Sequence, residues 1–143
     1  QRQYLEFAEI SSDREREERI ERTYGLTEKE LKRRVRKKVE DMIARGYDIR
    51  ITQIAADGFN KSWLGRKIDA ETFPELKRLS ETFEFHIGAE GGPYDTLVVD
   101  GPIFNKKLEI LDAKPVMETE CSGYLKVNRV SIIEKRPLIR NYN

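Results

Sequence analysis

The chain holds one cysteine and one histidine in 143 residues, and these scarcities already exclude several kinds of chemistry. Cys121 alone closes no intrachain disulfide, and with His86 it makes a poor basis for a metal site, so no metal ligands are assigned. A chain that dispenses with disulfides fits a reducing compartment, and a cytoplasmic location is expected. No apolar run approaches the roughly 18 residues that a membrane helix needs, and no secretory signal opens the chain, so no membrane partner is expected. Net charge is nearly absent too: 27 Lys and Arg stand against 26 Asp and Glu, a balance of +1. Without a basic field, nucleic acid is an unpromising partner. Walker and dinucleotide phosphate loops are missing, because Glu90-Gly91-Gly92 lacks both the lysine and the strand–loop–helix setting they need. Nothing marks a nucleophile, so no catalytic residue is assigned. The chain opens on Gln1 rather than methionine, which fits a piece of a longer protein.

What is present reads as an α/β order. Tyr4–Ile10 alternates as a strand, and Ser11-Ser12-Asp13 offers helix-capping oxygens before a charged helix over 14–22. Thr27 and Glu30 form a capping box. Leu31, Val35, Val39, Met42 and Ile43 then recur at helical spacing until Gly46 supplies a left-handed cap. The opposite face carries seven cations between Lys29 and Lys38, which reads as a solvated face. Tyr47, Ile49 and Ile51 share a parity and begin a strand that Asp57-Gly58 ends. Thr72 and Glu75 predict a second capping box, with Phe73, Leu76 and Leu79 as the helix's apolar stripe. An apolar run spans Thr96–Val99, and strands are expected at Leu108–Leu111 and Leu125–Glu134, punctuated by Pro115 and Ser122-Gly123.

Two segments stand out from this pattern. Phe59–Asp69 has neither helical nor strand period, yet it holds the only tryptophan, which either plugs a core or lines a pocket. His86–Phe104 places a carboxylate, Glu90, on the bare backbone of Gly91-Gly92; such a pair suits a site or simply a tight turn. His86 itself fits a hydrogen-bonded core or rim position better than an acid–base role. The two segments are expected to form one cleft.

The same residues resemble a known family. Ala56-Asp57-Gly58 followed by Ser62-Trp63-Leu64-Gly65-Arg66 and Ile68-Asp69, then Gly88-Ala89-Glu90-Gly91-Gly92-Pro93-Tyr94-Asp95-Thr96 and Asp100-Gly101-Pro102-Ile103-Phe104, resemble the diphthine–ammonia ligases. These are N-type ATP pyrophosphatases, also called PP-loop or adenine nucleotide α-hydrolase-like proteins. The match runs from about Thr27 to Phe104, with Glu9–Arg16 more faintly similar to the end of the family's ATP-binding domain. The family's N-terminal Ser-Gly-Gly-Lys-Asp-Ser phosphate loop is absent from the chain, and Pro93 stands where the family usually has glutamate.

The resemblance implies a partial PP-loop region over 1–26, a β-rich α/β substrate-side domain over 27–136 and a tail over 137–143. It also implies ATP with Mg as cofactors, and amidation by ammonia of diphthine on elongation factor 2 through an acyl-adenylate. Trp63, Gly65, Arg66, Glu90, Gly91, Gly92 and Thr96 would line the substrate cleft, and Ser11, Ser12 and Arg16 would touch the nucleotide. A separate chain carrying the ATP loop, or a homo-oligomer, would complete the enzyme. Two other functions remain open: a non-catalytic ligand- or protein-binding module derived from the family, and an RNA-contacting accessory domain using the Lys29–Lys38 face.

Overall fold

The structure, a computed structural model, describes residues 13–89 and 91–135. The predicted strand over 4–10, the capping residues Ser11 and Ser12, Glu90 and the tail over 137–143 lie outside them. Helix α1 (Asp13–Tyr24) is charged almost throughout and buries Ile20 completely. Gly25 follows it with φ +67°, its N–H on the Glu21 carbonyl. Helix α2 (Glu28–Ala44) starts at Thr27, whose hydroxyl accepts the Glu30 N–H at 3.2 Å, as the capping pattern predicts. Its end is a Schellman motif: Gly46 N–H reaches the Ile43 carbonyl and Tyr47 N–H the Met42 carbonyl, with Gly46 at φ +87°. A residue with a Cβ would be strained there, which is why the glycine stops the helix where it does.

The Schellman turn delivers the chain directly into β1 (Asp48–Ala55). Strands β2 (Tyr94–Asp100), β3 (Lys106–Met117) and β4 (Ser122–Glu134) complete a four-stranded antiparallel sheet in the order β2-β1-β4-β3. The α/β expectation holds, with every strand pairing antiparallel. In β1 the buried residues are Ile49, Ile51 and Ile54, so the strand's parity changes midway; a register shift between Ile51 and Gln53 is the cause. Helix α3 (Thr72–Phe83) buries Phe73 and Leu76 on the same core, together with Phe59, Trp63, Leu64, Ile68, Ile87 and Tyr94. Val39, Met42 and Ile43 of α2 pack against its border.

Two local expectations need correction. The predicted Thr72–Glu75 capping box does not form: Asp69 Oδ1 accepts the N–H groups of Thr72 (2.8 Å) and Glu71 (3.0 Å), and Glu75 is drawn to Arg66 instead. Those bonds to the Thr72 and Glu71 backbone hold the Asp69 carboxyl below its usual range. Secondly, Pro115 and Ser122-Gly123 do not punctuate the strands. Pro115 lies inside β3, tolerated because β3 is an edge strand and needs no donor on its outer side, while Ser122 and Gly123 already belong to β4.

Candidate functional site

The segment after β1 is ordered by its backbone. A 3-10 turn at Lys61–Trp63 is capped by Asn60, whose side chain accepts the Ser62 N–H. Leu64 (φ −71°, ψ 124°) and Gly65 (φ +84°) then form the centre of a type II turn closed by Arg66 N–H on the Trp63 carbonyl. Gly65 N–H donates to the Ile51 carbonyl at 2.7 Å, and Ile51 N–H donates to the Arg66 carbonyl at 3.1 Å. That is a G1 bulge, with Gly65 and Arg66 together facing Ile51. Lys67 bridges Arg50, and Ile68 N–H reaches the Ile49 carbonyl. The segment therefore covers the edge of β1's first half, and β4 pairs only with Gln53–Ala55. Because a Cβ at Gly65 would meet Leu125 no closer than 3.6 Å, Gly65→Ala tests the backbone alone. It is expected to cost about 1–2 kcal/mol in urea unfolding, from the positive φ; an unchanged midpoint would contradict the turn.

Trp63 is buried, edge-on to Phe59 with ring centres 5.6 Å apart. Arg66 lies over its other side, the guanidinium carbon 4.3 Å from the indole centre, and donates to the Glu75 carboxylate. That bond holds Glu75 below the usual carboxylate range. Phe59 also stacks on Phe85 and meets Tyr94 edge-on at 6.0 Å, so one ring ties the tryptophan segment to the start of β2.

The second segment is a sequence of tight turns. His86 is buried, its Nδ1 accepting the Gly88 N–H at 3.0 Å. Ala89, Gly91 and Gly92 all take positive φ, and the Gly92 N–H bonds the Ala89 carbonyl. Pro93 then offers its carbonyl to Ala55 N–H at 2.8 Å, and the buried Tyr94 hydroxyl donates to the Ile87 carbonyl. Burial pushes the Tyr94 phenol well above its ordinary pKa, so it stays a donor. Thr96 is exposed and pairs with Ile51, the residue that Gly65 and Arg66 hold from the other edge.

A cavity of about 590 Å³ opens where β4 parts from β1. Leu64, Gly65, Val99 and Asp100 of the two segments line it, together with Leu125 of β4 and residues 107–110, Ala113 and Pro115 of β3. Arg50 and Asp48 form a two-bond fork in its wall (2.7 and 3.1 Å), which raises the Arg50 pKa. Asp100 accepts from Lys135 Nζ at 2.7 Å, and that ammonium holds its carboxyl below the usual range. A depressed folded pKa stabilises above the unfolded value of about 4 and is lost as pH falls through the folded one. Asp100→Asn is therefore expected to cost about 0.5–1 kcal/mol at neutral pH and almost nothing near pH 2, read from urea midpoints. A cost independent of pH would refute the pairing.

The profile of the diphthamide synthase C-terminal domain matches residues 34–133. The chain belongs to that family. A diphthine–ammonia ligase of Schizosaccharomyces pombe is 39% identical over 94 residues, which cover 64% of this chain and 15% of that protein. The diphthine–ammonia ligase of Mus musculus is 31% identical over 101 residues (68% of this chain, 38% of the relative), and that of Homo sapiens 30% over 97 (67% and 36%). The chain thus spans well under half the length of each of these relatives.

The predicted site residues among those described fall into four settings. Gly65 lines the cavity; Trp63 is in the core beneath Arg66; Thr96 sits on the far edge of β1. Gly91 and Gly92 make the turn that leads into β2. Glu90, Ser11 and Ser12 lie outside the described residues, and Arg16 is placed in α1 by its backbone alone. Sequence reasoning missed Asp48 and Arg50, although their spacing of two on one strand is a local signal, and Lys135, whose partner Asp100 lies 35 residues away. Glu75 was seen only as a helix cap, because nothing in its own helix points to Arg66.

Proposed function

We propose that the chain is the acceptor-substrate side of an ATP-dependent diphthine–ammonia ligase, acting in diphthamide biosynthesis. The observation that carries this is the convergence of both family motifs on one strand residue: Gly65-Arg66 and Thr96 hold Ile51 from opposite edges, and the cavity beside Gly65 is lined from both segments. In this reading diphthine on elongation factor 2 is the acceptor and ammonia the amine, and the domain spans 27–136, preceded by the end of a PP-loop region over 1–26 and followed by the tail over 137–143. Arg66 would exchange Glu75 for the substrate carboxylate, offering a planar fork already oriented by Trp63. Gly91 and Gly92 would let substrate backbone approach, and Glu90 would orient the amine.

The described residues do not fit ATP. The Gly91-Gly92 turn leads into a strand, so it has no helix N-terminus behind it, and no lysine stands in the turn. Among the described residues no group of three or more His, Cys, Asp or Glu could hold a metal ion. Activation of the carboxylate by ATP and Mg is accordingly assigned to a part of the protein, or a partner chain, that carries the phosphate loop.

The test pairs this chain with a polypeptide bearing the Ser-Gly-Gly-Lys-Asp-Ser loop and follows ammonium-dependent amidation of diphthine-bearing elongation factor 2 by mass spectrometry. Arg66→Ala is expected to lower kcat/KM about 10- to 100-fold, as for loss of a charge-assisted contact, with a melting temperature within a few degrees. The Arg66–Glu75 pair favours one rival, a non-catalytic binding module in which Arg66 is structural. Unchanged amidation by Arg66→Ala would move the assignment there.

A further inference from the structure

The groove between α2 and α3 shares no lining residue with the cavity beside Gly65. It consists of two cavities, of about 460 and 640 Å³, and Arg36 and Lys77 line both. A guanidinium from one helix and an ammonium from the other therefore stand at the waist of a single trough. Towards the smaller cavity Lys29, Lys32 and Arg33 add further cations. Towards the larger one the walls turn apolar, with Ile43, Ala44, Phe73 and Pro74. Lys32 is paired with the half-buried Glu28 (3.3 Å) and Arg36 with Glu40 (3.7 Å), both at i,i+4 spacing; the second pair is on the surface, where such pairs contribute little. Lys29, Arg33 and Lys77 form no ion pair among the described residues. One end of the trough thus carries a net positive charge and the other a largely apolar surface.

We propose that this groove docks an acidic, amphipathic peptide segment of a protein partner, its carboxylates against Arg33, Arg36 and Lys77 and its apolar side chains against Ile43, Ala44 and Pro74. The same cations suit a phosphodiester chain less well. Glu17, Glu28 and Glu81 line the basic end, so a ligand with a charge on every unit meets carboxylates as well as cations. The groove's one aromatic, Phe73, is buried and presents no open face for a base to stack on. An acidic peptide spaces its charges with neutral residues and brings apolar side chains for the apolar end, so both ends are matched.

Fluorescence anisotropy with the full 143-residue chain tests this. The probe is a labelled dodecapeptide with four Asp and Glu residues at one end and three Leu and Ile at the other. Binding is expected, weakening about tenfold or more when the acids are replaced by Asn and Gln, and likewise in the Arg36→Gln/Lys77→Gln variant and in Ala44→Asp at the apolar end. Lys37→Gln, exposed and outside the groove, is expected to leave it unchanged. No binding, equal binding of the Asn/Gln peptide, or equal or tighter binding of dodecauridine would each overturn the proposal. The peptide comparison needs no variant, so a variant that unfolds does not rescue the idea.

Discussion

Replacing Trp63 with alanine is expected to remove about 3–5 kcal/mol of stability, the cost of deleting a large buried aromatic and leaving its cavity. The indole is only 3% exposed, packs edge-on against Phe59 and supports Arg66 on its other side. Of the loss, the cation–π contact accounts for only about 0.5–1 kcal/mol, since Arg66 keeps a third of its side chain in solvent. Cavity formation dominates, because Phe59 is held by Phe85 and Tyr94 and cannot collapse into the space. Against a typical total of about 5–15 kcal/mol, that leaves the domain marginal. Urea unfolding followed by far-UV circular dichroism reads this directly, the variant having lost the chain's sole indole. Arg66→Ala should cost no more than about 1 kcal/mol in the same assay. If the Trp63 variant unfolds within 1 kcal/mol of the parent, roughly the error of such extrapolations, the residue is not the core plug described above. The contrast matters for function, because a loss of amidation in Trp63→Ala reports unfolding, whereas Arg66→Ala leaves the fold intact and reports the site.

The helix α2 was legible because every signal for it is local. Thr27, the Leu31–Val35–Val39 spacing and Gly46 each act within one turn, and the structure uses the caps at both ends. The tryptophan segment was opaque for the opposite reason. Its order comes from Ile51 and Ile49, more than a dozen residues earlier, and neither helix nor strand periodicity registers a type II turn feeding a bulge. Local reasoning also misplaced Glu75, where a carboxylate at capping spacing was claimed by a cation on another element while Asp69 took the cap. As for the candidate site, the two motifs announced their importance and their adjacency through β1. The charges around the cavity did not: Asp100 and Lys135 stand 35 residues apart until the fold pairs them, while the Asp48–Arg50 fork joins alternate residues of one strand and was legible but not read.

Gly123→Ala is expected to be among the most damaging of the glycine substitutions that add a single methyl, because its clash is with main chain. Built on the backbone there, a Cβ falls 2.5 Å from the Val116 carbonyl oxygen and 2.9 Å from Met117 Cα. Both are main-chain atoms of the partner strand, so neither can rotate away. At Gly101 and Gly88 the nearest atoms belong instead to the side chains of Tyr47 and Val35, which can shift. Position matters as much as contact. Gly123 pairs with Ile54 on one side and Met117 on the other, within the three-residue ladder through which β4 joins β1. Relief of the clash must therefore either part β3 from β4 or pull the hairpin from the rest of the sheet. Overpacking of this kind costs about 1–3 kcal/mol, and a backbone obstacle places it at the upper end. For a domain of this size the melting temperature should fall by about 6–10 °C. Hydrogen exchange locates the damage: protection should drop at Gln53–Ala55 and Ser122–Tyr124 before it drops in α2. Uniform loss of protection would mean that the ladder is not the weak link, and an unchanged melting temperature would mean that the strands are not as close as they stand here.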